Sequence, residues 1–110
     1  MTRMGHPRVV CGLDPRQPTE GTVDRACRVA GPRGHVTIVC LLETSGGADR
    51  GPAAALAASV LERAMRQARA AGVSASVYML RSPDPVAALR RAAEGGSALV
   101  LARRAPDERA

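Results

Sequence analysis

The chain has 110 residues, 45% hydrophobic and 24% charged, the size and balance of a single globular domain. Its net charge is +6 and every basic residue is arginine, so a Walker-type phosphate loop and lysine-based covalent chemistry are excluded. One tyrosine, Tyr78, is the whole aromatic content, which speaks against a base-stacking nucleic-acid binder despite the basic balance.

Arg8–Asp14 opens the chain as a short apolar run without alternation, the pattern of a strand covered on both faces. After a Pro15–Pro18 loop, Thr19 stands where a helix N-cap is expected, with Glu20 near the positive end of the helix dipole. Val23, Ala26, Cys27 and Ala30 share one face of that helix, and Asp24 and Arg28 pair along it. Gly31-Pro32 ends it. His35–Leu42 is the clearest strand, β-branched and apolar. A flexible loop is expected from Glu43 to Pro52, then a long helix over Ala53–Ala71 whose apolar stripe is Leu56, Val60, Leu61, Ala64, Met65 and Ala68. Gly72 stops it. Val73–Met79 alternates, as a half-exposed edge strand does. Asp84-Pro85 starts a third helix with Val86, Leu89 and Ala93 on its buried side, closed by Gly95-Gly96. Ala98–Ala102 is a fourth apolar strand, and the tail beyond it is polar.

The order β-α-β-α-β-α-β predicts an α/β domain: an open, mostly parallel four-stranded sheet with helices on both faces. One domain fills 1–110, with an N-terminal arm over 1–7 and a tail over 105–110. Cys11, Cys27 and Cys40 lie in apolar runs with no metal or disulfide spacing, and read as small hydrophobes. No run is long and apolar enough for a membrane helix, no signal core opens the chain, and a cytoplasmic location is expected. No catalytic constellation emerges, so no enzymatic activity is expected.

Val9-Val10-Cys11-Gly12-Leu13-Asp14, the small residues Thr22, Ala26 and Ala30, the Val36–Leu42 strand and the Pro85–Leu101 segment together resemble the universal stress protein family over Arg8–Arg104. The resemblance implies a doubly wound sheet in the order 3-2-1-4. It also implies that Asp14 matches a residue contacting adenosine and Leu41 one beside the adenine. Asp14 has a second reading as the cap of the turn before Pro15, and Leu41 as core. Members that bind ATP carry a glycine motif after the fourth strand. Here Ala102 stands in place of its first glycine and Ser97 in place of the Asp before the strand, so neither the motif nor a fifth strand is expected in this sequence. The expectation is therefore a stress-protein-like module without a cofactor. ATP or AMP held through Asp14 is the alternative, and a basic nucleic-acid-associated protein is the second. Losing its fifth neighbour would leave the fourth strand an apolar edge, which predicts a homodimer or a protein partner through Leu99, Val100 and Leu101, flanked by Arg103 and Arg104.

Overall fold

The computed structural model describes residues 8–44, 51–93 and 98–101. The expected arm, the Gly46-Gly47 loop, the Gly95-Gly96 closure, Ala102, Arg103, Arg104 and the tail lie outside the described residues. Seven elements run in chain order: β1 (Arg8–Leu13), α1 (Glu20–Ala30), β2 (His35–Glu43), α2 (Gly51–Ala70), β3 (Ser74–Ser82), α3 (Pro85–Ala93) and β4 (Ala98–Leu101). The sheet is parallel throughout, in the order β3-β2-β1-β4. This is the expected α/β class and strand order.

Topology fixes which helices share a face. The chain steps from β1 outward to β2 and β3, then crosses back past β1 to β4. Right-handed crossovers therefore put α1 and α2 on one face and α3 alone on the other. The packing agrees. Val9, Cys11 and Leu13 of β1 and Val36, Ile38, Cys40 and Leu42 of β2 form the main core beneath α1 and α2. Val39, Leu41 and Leu89 form a smaller cluster beneath α3, joined by partly buried Val10, Leu80, Leu99 and Leu101.

The core contains no aromatic ring. Its helices compensate with small buried residues, Ala26 and Ala30 on α1 and Ala57, Ala64 and Ala68 on α2, which let backbone approach sheet closely. The α2 stripe corrects the sequence reading: Ala57, Val60, Leu61, Ala64 and Ala68 are buried, whereas Leu56 is 45% exposed. Ala57 completes the i, i+3, i+4, i+7 set with Val60, Leu61 and Ala64, and Leu56 lies one residue out of phase. Val86 of α3 is likewise 39% exposed, while Leu89 and Ala93 carry the burial.

Two helix ends follow glycine chemistry. Gly72 adopts φ 76°, and its N–H donates to the Arg69 carbonyl while that of Val73 donates to Ala68. Buried Val73 then rests near buried Ala68, the hydrophobic closure of this cap. Gly31, at φ 77°, donates to the Cys27 carbonyl at the end of α1. β3 runs three residues beyond its expected end because β2 pairs it up to Glu43 opposite Ser82. No described helix is long and apolar enough to cross a membrane.

Candidate functional site

The C-terminal ends of β1 and β4 form the point where strand order reverses, the place where open parallel sheets accept ligands. Asp14 stands there, one residue past β1. Pro15 follows it, and the chain closes a turn with the Gln17 N–H donating to the Asp14 carbonyl at 3.0 Å. The Arg16 N–H donates to Asp14 Oδ1 at 2.9 Å. The Arg16 guanidinium adds Nε to Oδ1 and Nη2 to Oδ2, both at 3.2 Å. Both carboxylate oxygens are thus engaged by a neighbour two residues away. Partial burial alone would raise the Asp14 pKa, but the hydrogen bonds and charge of Arg16 together outweigh it and hold the carboxyl below its usual value.

Leu41 lies on the α3 face of β2, 9% exposed, within the Val39–Leu89 cluster. Gly12, paired with Leu101 of β4, sits beneath the same cluster. A methyl group added at Gly12 would meet the Cδ2 atoms of Leu89 and Leu101 at 2.6 Å and Cδ1 of Leu41 at 3.4 Å. Leucine side chains, Leu41 among them, therefore fill the space over the end of β1. The structure brings Asp14 and Leu41 to the same end of the sheet but gives each a structural partner.

The expected interface residues divide by face. Val100 is buried toward α1 and α2, and Leu99 and Leu101 are half-buried toward α3. Arg103 and Arg104 lie outside the described residues. Among the described residues β4 pairs on one side only, with β1, from Val9 opposite Ala98 to Gly12 opposite Leu101. Arg25 of α1 reaches this edge, and its Nη2 donates to the Leu101 carbonyl. Sequence reasoning singled out neither Arg16 nor Arg25. An Asp-Pro-Arg turn is a local signal for the first. The second depends on α1 packing beside a strand formed 76 residues later, which no local pattern encodes.

The three cysteines are reduced and buried. Burial pushes the Cys11 thiol up to about 12 and the Cys40 thiol up to about 11, and raises Cys27 as well. None is poised as a thiolate nucleophile. An open cleft of about 320 Å³ lies at the opposite end of the sheet, between the C-terminal ends of α1 and α2. Its one carboxylate, Asp24, is paired with Arg28 at 3.1 Å, the i,i+4 pair expected on α1.

No protein-family model and no curated protein matches the chain. Solved structures do. A universal stress protein from Archaeoglobus fulgidus superposes with a TM-score of 0.70 at 18% identity, over 91% of this chain and 77% of that one. Protein Rv1636 from Mycobacterium tuberculosis H37Rv gives 0.65 at 25% identity, over 94% and 75%. A protein from the universal stress protein family of Burkholderia pseudomallei gives 0.62 at 23% identity, over 94% and 86%. The chain therefore has the universal stress protein fold.

Proposed function

We propose that this chain is a universal-stress-protein-like module that acts by dimerising or docking through β4, without ATP and without catalysis. The observation that carries the reading is the β4 edge. Ala98–Leu101 is four uncharged apolar residues, and among the described residues only β1 pairs with it. Such an edge is a template for another strand, and a second copy of β4 across a two-fold axis would continue the sheet. Leu99, Val100 and Leu101 would then form the junction. Arg103 and Arg104 follow them in sequence and belong to the same proposal.

A second reading, an adenine-nucleotide site at Asp14, is favoured by the place of that carboxylate at the reversal point of the sheet. Against it stand the occupancy of both its oxygens by Arg16 and the leucine packing over Gly12. Two measurements on the full chain separate the readings. Sedimentation velocity is expected to show a dimer that dissociates on dilution, and a clean monomer at the highest soluble concentration overturns the docking mode. Thermal denaturation with ATP or AMP is expected to leave the midpoint unmoved. A ligand at a hundred times its dissociation constant would add about 2.7 kcal/mol, so a concentration-dependent rise abolished by Asp14→Ala establishes the second reading.

A further inference from the structure

The two faces of this sheet are covered unequally. α1 and α2 bring 11 and 20 residues to one face, and α3 brings 9 to the other. Leu89 of α3 packs over Val39, Leu41 and the Gly12–Leu101 region, the C-terminal half of the strands. Among the described residues, the N-terminal end of this face is less covered on β2 and β3 than beneath Leu89, where Val10 and Leu99 also pack. Strand register identifies what stands there. Arg8, His35 and Ser74 form one row across β1, β2 and β3. Val10, Thr37 and Ser76 form the next, with Leu99 of β4 beside Val10. Tyr78 follows on β3, opposite Val39.

These residues are accessible. Arg8 and Ser74 are exposed, Val10, His35, Thr37, Ser76 and Leu99 are half-buried, and Tyr78 is 58% exposed. The His35 ring is held in place: its Nδ1 lies 2.8 Å from Ser74 Oγ and its Nε2 lies 3.0 Å from Ser76 Oγ. Both ring nitrogens are used across the strand pair, so the imidazole is oriented before any ligand arrives. The two rows hold two basic side chains, three hydroxyls and no carboxylate.

We infer that this less covered end of the α3 face is a binding platform for single-stranded nucleic acid. Three planar groups stand on one sheet surface: the Tyr78 phenol, the His35 imidazole and the Arg8 guanidinium. Bases in unpaired strands stack on each of these side-chain types. Thr37, Ser74 and Ser76 supply hydroxyls for base edges and sugars, and half-buried Val10 and Leu99, packed toward Leu89, border the platform. The row of Arg8 lies about 13 Å along the strands from Tyr78, at ~3.3 Å per residue. That span fits a strand laid diagonally across β1, β2 and β3 better than one small anion. The chain's net charge of +6 favours the same polyanion and disfavours a basic partner. Scarcity of aromatics argues against such a platform when residues are counted. It argues less once the only tyrosine is found exposed on the same sheet face as an ordered histidine and an arginine.

The sole tyrosine also supplies the assay. With no tryptophan in the chain, intrinsic emission reports Tyr78 alone. Titrating the full chain with a short oligouridylate at low salt is expected to quench that emission, and labelled oligouridylate should show a matching rise in anisotropy. Tyr78→Ala is expected to weaken binding about tenfold or more, and Tyr78→Phe to retain most of it. Arg8→Ala should weaken binding and lower the salt slope by about one, whereas Arg63→Ala on α2 should change neither. An oligodeoxythymidylate arm reports any contribution of the 2′-hydroxyl, and quenching by either strand supports the platform. Failure of both strands to bind overturns the inference. Equal losses in Arg8→Ala and Arg63→Ala, with Tyr78→Ala unaffected, also overturn it, because binding would then be diffuse charge. So does equal binding of polyglutamate. Circular dichroism melts of each variant confirm that the surface substitutions leave the fold intact.

Discussion

At the scale of single residues, Asp14 shows how one side chain is spent locally. Its carboxylate is acceptor to a backbone N–H and to both arms of the Arg16 fork, and the pKa falls below its usual value. The stability this contributes is present above the unfolded pKa of about 3.9 and is lost as pH drops through the lower folded value. Arg16 is 75% exposed, so screening keeps the ion pair small, about 0.5 kcal/mol. Asp14→Asn keeps an oxygen for the turn and loses the charge. Urea unfolding should show that small deficit at neutral pH, and the deficit should shrink as the pH falls below the unfolded value and vanish once the native carboxylate is protonated. Glycines give a sharper contrast. At Gly12 an added methyl meets the tips of two leucine side chains, which can rotate away, so Gly12→Ala should cost about 1 kcal/mol. At Gly34 it would fall on the Ala30 carbonyl group, 2.7 Å from its carbon, and backbone cannot yield in that way. Gly34→Ala should cost about 3 kcal/mol. Equal midpoints for the two variants in denaturant would contradict this assignment.

At the scale of elements, the helix starts divide in a way their residue types conceal. Asp84 and Thr19 are both favoured N-cap residues. Asp84 caps α3, its Oδ1 accepting the Ala87 N–H at 3.2 Å and its carbonyl the Ala88 N–H at 3.1 Å. Thr19 has helical backbone angles, φ −112° and ψ −15°, and makes no side-chain cap bond. Only its carbonyl serves α1, accepting the Val23 N–H at 3.0 Å. Asp84→Ala should therefore lower stability by about 1 kcal/mol, and Thr19→Ala by far less. Thermal unfolding of the pair checks this. Element identity was legible because the period of burial differs between helix and strand, and Gly31, Gly72 and Pro85 mark ends for steric reasons that hold in any fold. Phase was less legible. A long alanine-rich helix offers several apolar stripes of similar quality, and the side on which Leu56 falls depends on the sheet beneath it. Strand length was likewise a tertiary matter, since β3 continues through Arg81 and Ser82 only because β2 lies beside them.

At the scale of the whole molecule, alternating elements were enough to place four parallel strands and helices on both faces. Strand order came from the family resemblance rather than from the pattern, and the fold comparisons support it. The candidate site was less legible. Asp14 and Leu41 were found by motif position, but the guanidinium on Asp14 and the leucines over Gly12 come from geometry. The row of Arg8, His35 and Ser74 joins three distant stretches of chain and is invisible until register is known. The same register has a consequence for synthesis. β1 emerges from the ribosome before every other described strand, yet one flank of it is completed only when Ala98 arrives opposite Val9. Until then its backbone must stay solvated or shielded by a chaperone on that side. During synthesis the pairing of β1 is therefore expected to be completed only once Ala98–Leu101 has emerged, and a stall before Ala98 should leave one flank of β1 without its described partner.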